Sequence, residues 1–540
     1  MNKINSFIFG IFLLVSCSKD TATNPEVIEK PIEDVWSVNK NNQYALNVVI
    51  FKPTDGTIEE DMVDNVSNVM LYVQKWYEKQ MELNGYGKKT FGLVTNQQGK
   101  AKVTIVDGLE PSTYYADNSR DVNKEVNQYF DDNPDEKMSN HTFVLGKKDS
   151  GVPFYGLGKN AFATSSDFVL TSTGEFIGDL ELMICDKLGG IMHELGHGLN
   201  LPHCAHKASD LPKIALMSFG NHTYQKDGKS SLVFLTASDC AILNVSETFN
   251  KKDKLYYDDA KDKMYYDDAE IKLESFSVQK DNAKQATIVQ GFLTSNVKAN
   301  HFYVGHNGYP LEGGYDNITF TTPLSATNKE NEFSFSLEMP YTDIFNGFQA
   351  KDIFELSLVV VLDNGLKSIL YKYDYTIDAL SPEPNEDIEK EYEAFVLSDR
   401  SEWVITANTN TTSNPAAQML DGNLDTYWHS IWPYVIADKG AHVITIDMSE
   451  AKTFEGVYLL SDRSGGQFRP KHVILETSND GSTWNNVQQN TIATIGEARE
   501  VMLNFDTTVT SQYLRLTIDE VYVSSGTEEN LIFTEVDIIE

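Results

Sequence analysis

Cysteine is scarce, with 4 among 540 residues, at positions 17, 185, 204 and 240 and in no CxxC pair. That excludes a thiolate zinc knuckle, which needs thiols at short paired spacing. Basic charge is also in deficit: 44 Lys and Arg stand against 79 Asp and Glu, for a formal net charge of -35. Such a chain repels polyphosphate, so nucleic acid is excluded as a partner. Beyond Ile4 to Val15 no segment is apolar enough to span a bilayer. Length, by contrast, is ample. With 41% hydrophobic residues over 540 positions the chain can bury several cores, and a prior of roughly 150 residues per domain predicts three or four.

The apolar run behind Lys3 is too short for a permanent membrane helix and has the length of an export-signal core. It ends in Leu14-Val15-Ser16-Cys17, which resembles a bacterial lipobox. The resemblance implies cleavage of residues 1–16, lipidation of Cys17 and attachment to the outer membrane. Ser18-Lys19-Asp20 resembles the short signal that sends Bacteroides-type lipoproteins to the cell surface. At about 0.8 kcal/mol per buried methylene, two or more acyl chains hold such a protein firmly. Residues 17–35, rich in Thr, Pro, Glu and Asp, read as a flexible stalk. The three remaining cysteines permit one disulfide at most. Spacing does not choose it; Cys204 with Cys240 is favoured for an exported protein, leaving Cys185 as a small apolar residue.

The first folded unit is expected over residues 36–250. Ala45 to Phe51 reads as a buried strand, and Asp64 to Asn84 carries Val66, Val69, Met70, Val73, Trp76, Tyr77 and Met81 on one helical face. Short strands are expected at 89–94, 101–106, 142–145 and 168–171, with a second helix at 122–130. Strands alternating with helices predict a mixed α/β layer. A helix from Asp179 to Leu199 then carries His193-Glu194-Leu195-Gly196-His197. Histidines four apart project from the same face one turn apart, so both imidazoles can bind one Zn²⁺. Glu194 is placed to act on a water at the ion as general base, not to ligate it.

The motif extends through Gly198-Leu199-Asn200-Leu201-Pro202-His203, and the segment resembles the metzincin superfamily, whose signature is HExxHxxGxxH followed by a Met-turn. The resemblance implies a zincin-type α/β fold, zinc held by His193, His197 and His203, and a peptidase activity. Asn200 stands where the family has Gly; Asn is the non-glycine residue that most readily takes positive φ, so the turn should survive. Ala215-Leu216-Met217-Ser218 fits the Met-turn and assigns Met217 the floor beneath the ligands. Some relatives carry a Tyr two residues after that Met. Position 219 here is Phe, which leaves Tyr224 as the candidate oxyanion donor. Glu247, as in thermolysin-like enzymes, is an alternative third ligand, as are His206 and Asp210. An N-capped helix is expected over Leu235 to Asn244, from Thr236-Ala237-Ser238-Asp239.

Residues 251–269 hold a tandem repeat, KDKLYYDDA and KDKMYYDDA, and read as a charged connector. Alternating runs at 286–292, 332–337 and 353–362 predict an immunoglobulin-like β-sandwich over 270–380, followed by a linker at 381–397. Over 398–540 the stretch Asp421-Gly422-Asn423-Leu424-Asp425-Thr426-Tyr427-Trp428-His429-Ser430 and the turn Ser478 to Trp484 resemble discoidin, or coagulation-factor C-type, domains. The resemblance implies a β jelly roll that binds carbohydrate. It also implies a Ca²⁺ near Asp421, Asp425, Thr426 and Glu535, a set whose oxygens suit a hard cation. Trp432, Arg463 and Arg469 are the candidate glycan contacts; Trp428 and Trp484 are expected in the core.

Two functions follow as expectations. In one the protein is a surface zinc endopeptidase whose terminal module concentrates it on proteins or glycoproteins. In the other it is a glycan-binding adhesin with an inactive zincin.

Overall fold

The computed structural model describes residues 35–540 except 225–228, 252–256, 259–262, 265–268, 310–312, 345–352, 378–382, 394, 396, 424–425, 462–467, 494–496 and 524–527. Cys17, Asp425, Arg463 and most of the tandem repeat therefore lie outside the described residues. The chain is multidomain and mostly β.

Its first unit is built on a five-stranded sheet in the order 104–107, 47–52, 142–147, 160–165, 155–157. The first four are parallel to their neighbours, and 155–157 closes one edge antiparallel. Asn47–Lys52 (NVVIFK) is buried on both faces, as a parallel strand covered by helices should be. Period-two alternation divides its side chains. Val48 and Ile50 pack with the helix Met62–Leu83 through Val66, Val73 and Trp76, while Val49 and Phe51 pack with the helix Ser119–Asp132 through Val122, Val126 and Phe130.

The expected helix over 179–199 is shorter. Leu188–Gly198 is helical, whereas Thr171–Ile177 and Leu180–Ile184 pair as an antiparallel hairpin. Gly178 at φ 61 allows the hairpin turn, and Lys187 at φ 62 breaks the chain before the helix starts. Cross-strand pairing here outweighs the helical reading of residues 179–187, and Leu180, Leu182 and Ile184 carry the period of two that a strand shows.

The second unit is a sandwich. A five-stranded sheet (325–326, 332–340, 286–295, 271–281, 390–393) faces a four-stranded one (318–323, 299–308, 353–362, 367–376), and every pairing is antiparallel. Residues 390–393, inside the stretch expected as a linker, are thus an edge strand of the sandwich, paired with 275–278. The sandwich is fused to the first unit, since Tyr303, Val359 and Val361 belong to the first unit's core.

The third unit is a β-structure with strand order 404–407, 442–460, 500–521, 470–478, 485–491, and 535–539 paired to 442–460. Trp428 is fully buried in its core. Trp484 is half-buried beneath Arg515, whose guanidinium lies 4.1 Å from the ring centroid. This unit meets the sandwich through Arg499, which reaches Glu355 at 3.1 Å; Lys372 holds the same carboxylate at 3.1 Å.

Candidate metal centre

Within Leu188–Gly198, His193 and His197 stand one turn apart with ring centroids separated by 4.7 Å. The helix ends at Gly198, the Leu201 amide donates back to the Gly196 carbonyl at 3.0 Å, and Asn200 takes φ 70. The turn expected of a Gly is therefore made by Asn. It returns His203 to the other two rings, 4.5 Å from His197 and 5.3 Å from His193. Asn200 is held from outside: Lys367, on the sandwich strand Lys367–Thr376, donates its Nζ to the Asn200 carbonyl at 3.1 Å.

Each Nδ1 meets a backbone carbonyl: Leu216 at 2.8 Å for His193, Leu201 at 2.8 Å for His197 and Gly313 at 2.5 Å for His203. A carbonyl only accepts, so each Nδ1 carries the proton and each Nε2 presents a lone pair. Those lone pairs converge, with Nε2 atoms 3.2 Å apart for His193 and His197 and 3.0 Å for His197 and His203. Burial keeps the rings neutral, lowering His193 to about 3 and His197 to about 4, and pushing His203 down as well. Neutral nitrogens face to face repel unless a cation lies between them. Tetrahedral bonds of about 2.0–2.1 Å to zinc place ligand atoms about 3.3 Å apart, so these three residues fit that ion in donor type, protonation and spacing.

Glu194 follows His193 on the same helix and is not one of the three converging residues. Burial raises its carboxyl to about 7, opposed by a hydrogen bond from the Gly156 amide. Gly156 lies in the edge strand Tyr155–Leu157, pressed so closely on the helix that a Cβ there would meet the Glu194 carbonyl oxygen at 2.3 Å and the His197 Cβ at 2.6 Å. Met217 is fully buried, its sulfur against Gly196 beneath the helix.

Several expected residues lie elsewhere. Tyr224 is in the core, its hydroxyl shared with Tyr72 and donated to the Met183 carbonyl at 3.1 Å. It is no oxyanion donor. Glu247 is paired with His141 at 3.0 Å, and Asp210 accepts the Lys207 amide at 2.9 Å; neither they nor His206 join the three-histidine group. Among the described residues Cys185, Cys204 and Cys240 form no disulfide. The expected Cys204–Cys240 disulfide is not formed: the capping box of the helix Ala237–Val245 holds Asp239, and the Cys204 thiol donates to that carboxylate at 3.2 Å.

No motif signals what the sandwich brings to this centre. Besides Lys367 and the Gly313 carbonyl, Tyr315 stacks on His203 with ring centroids 3.8 Å apart and lies 5.6 Å from Phe219. Its carbonyl accepts the Ser218 hydroxyl at 2.6 Å. No local pattern links a turn at 313–316 to a histidine 110 positions earlier.

In the third unit Trp432 is 61% exposed and forms an open aromatic group with His429 and Phe468, at centroid distances of 6.5 and 6.1 Å. Arg469 is 1% exposed and bonds the Ser461 carbonyl at 3.3 Å, which removes it from the solvent-facing contacts. His429 and Phe468 are the aromatic neighbours of Trp432 among the described residues, and Arg463 lies outside them. Nearby, Asp421 accepts the Thr426 hydroxyl at 2.7 Å. Glu535 is buried, bonded through Oε2 to Arg400 at 2.7 Å, and its Oε1 has no hydrogen-bond partner among the described residues. Burial, with Asp421 adding to it, raises Glu535 to about 7. The second oxygen of Glu535 is a donor of the type that a hard cation such as Ca²⁺ takes, but no group of three or more carboxylates converges there among the described residues.

Residues 404–530 match the F5/8 type C domain family, so the third unit is a discoidin-type domain. Among solved structures, catalytic inactive OgpA from Akkermansia muciniphila, in complex with an O-glycopeptide (glycodrosocin) substrate, is 25% identical. It superposes with a TM-score of 0.55 over 69% of this chain and 100% of its own. Wild type OgpA from the same organism is 26% identical, with a TM-score of 0.54 over the same shares. A galactose oxidase of Gibberella zeae is 30% identical over 87 residues, 16% of this chain; the match spans only 13% of that protein's length.

Proposed function

We propose that the protein is a zinc endopeptidase of metzincin type that hydrolyses peptide bonds in glycoproteins, with His193, His197 and His203 as ligands and Glu194 as general base. The observation that carries this reading is the convergence of three Nε2 lone pairs whose Nδ1 protons are committed to backbone carbonyls. The likeness to OgpA, whose substrate is an O-glycopeptide, supports a peptide-bond hydrolase directed to glycosylated protein.

Zinc held there would polarise a substrate carbonyl and make water acidic near neutral pH. The chain does the rest. Glu194 takes a proton from the attacking water as the water oxygen bonds to the carbonyl carbon. As the C–N bond breaks, Glu194 returns that proton to the leaving amine, and the new acid sheds its own to become a carboxylate. The Gly156 amide holds the Glu194 carboxylate in place for both transfers.

The other parts of the reading follow from this one. The sandwich is immunoglobulin-like, and the discoidin-type domain binds glycan through Trp432 and His429 and holds Ca²⁺ between Asp421, Thr426 and Glu535. Export, lipidation at Cys17 and display on the outer membrane complete the proposal. The test is cleavage of a defined O-glycopeptide and of its unglycosylated counterpart by zinc-loaded wild type and by Glu194→Ala. Cleavage of the glycopeptide by the wild type alone is expected. If neither protein cuts, the peptidase reading fails and glycan binding without catalysis remains.

A further inference from the structure

Hydrolysis of an amide places charge on the carbonyl oxygen as the carbon becomes tetrahedral, and such sites use a fixed hydrogen-bond donor for it. Neither aromatic candidate beyond Met217 supplies one, because Phe219 has no hydroxyl and Tyr224 is turned into the core. The sandwich does carry a phenol at the histidine cluster. Tyr315 lies against His203 at 3.8 Å and nearly parallel to His193, at 6.2 Å and 5°.

The ring is fixed on three sides. The Gly313 carbonyl two residues before it accepts from His203 Nδ1, its own carbonyl accepts from Ser218, and Phe219 stacks beyond it at 5.6 Å. Fixed as the ring is, its hydroxyl has no hydrogen-bond partner among the described residues, and the side chain is only half-buried. An uncommitted phenol stacked on one of the three converging imidazoles, close enough for the Glu194 charge to act on it and open to solvent, has the attributes of a group that waits for substrate.

Resting on the peptidase reading above, we propose that Tyr315 is a catalytic residue: its hydroxyl donates to the scissile carbonyl oxygen as that oxygen becomes an oxyanion. Tyr315 keeps its proton throughout. The water oxygen bonds to carbon, the carbonyl π pair moves onto oxygen and is met by the phenol, and Glu194 holds the water's proton. On collapse the pair returns, the C–N bond breaks and Glu194 protonates the nitrogen. The active site is then composite, with base and ligands from the first unit and the oxyanion donor from the second.

The experiment compares full-length wild type, Tyr315→Phe and Tyr315→Ala for zinc content, melting temperature, steady-state cleavage of an O-glycopeptide and binding of a peptidyl phosphinate, whose tetrahedral phosphorus mimics the transition state. Tyr315→Phe keeps the ring on His203, so zinc content and melting temperature stay at wild-type values. Its kcat falls by about 10²–10³-fold with KM nearly unchanged, and phosphinate affinity falls in parallel. Tyr315→Ala also loses zinc. Wild-type kcat and phosphinate affinity in Tyr315→Phe overturn the proposal while leaving the peptidase reading intact, and so does loss of zinc by Tyr315→Phe, which marks a merely structural role. A wild type that neither cleaves nor binds the phosphinate defeats both.

Discussion

Replacing Gly156 by Ala perturbs the proposed reaction without touching a ligand or the base. The added Cβ would lie 2.3 Å from the Glu194 carbonyl oxygen and 2.6 Å from the His197 Cβ. Both are backbone or near-backbone atoms of a helix seated in the core, so the edge strand must give way, by about 1 Å to reach ordinary contact. A displacement of that size at a reacting centre costs about 100-fold in rate. The same movement removes the Gly156 amide from the Glu194 carboxylate, and a hydrogen bond to a charged group contributes about 1.5–3 kcal/mol, or about 10- to 100-fold. The two losses share one cause and do not add, so kcat/KM of Gly156→Ala should fall by about two orders of magnitude at unchanged zinc content. The assay is steady-state cleavage of an O-glycopeptide, with Gly158→Ala on the same edge as control: that residue has positive φ, which Gly156 has not, but nothing lies within 4 Å of its Cβ. Activity of Gly156→Ala within a few-fold of the control would refute the reasoning.

Lys367→Met removes the hold on the Asn200 carbonyl and should weaken zinc affinity by about 10- to 100-fold; in an Asn200→Gly background, where the turn needs less support, the loss should shrink, as zinc titrations of the four proteins would show. Glu535, raised from 4.5 to about 7 in the fold, binds its proton more tightly folded than unfolded, so its contribution to stability is lost as pH rises from 4.5 to 7. That difference of about 2.5 units is about 3 kcal/mol. Added Ca²⁺ should therefore raise the melting temperature of the discoidin-type domain more at pH 8 than at pH 5, and equal shifts would exclude a cation at Glu535. Alkylation of the unfolded chain without reductant should label Cys185, Cys204 and Cys240 alike, and protection of any pair would show a disulfide. Trp432→Ala should lower retention on immobilised mucin about tenfold with an unchanged melting temperature, whereas Arg469→Ala should lower the melting temperature.

What the sequence discloses and what it conceals divide along the range of the forces involved. Apolar spacing on Met62–Leu83 and the HExxH register are local, and both are legible in one window of residues. The helix before His193 is misjudged because hairpin pairing between 171–177 and 180–184 is a tertiary choice. Asn200 shows both sides of the limit: its capacity for positive φ is readable from residue type, but the lysine that holds it comes from 167 positions away. Gly313, Tyr315 and Lys367 leave no pattern because each acts through contacts far away in sequence. Arg469 illustrates the opposite error, a polar residue at a loop edge that folding buries against Ser461.

X-ray absorption at the zinc edge, on the purified chain and on His203→Ala, addresses the central claim directly. The account predicts one zinc per wild-type chain with histidine nitrogens at about 2.0–2.1 Å, three of them in the wild type, and a metal largely lost from His203→Ala. A wild-type chain that takes up no zinc, or a His203→Ala chain whose zinc content and coordination match the wild type, would contradict it.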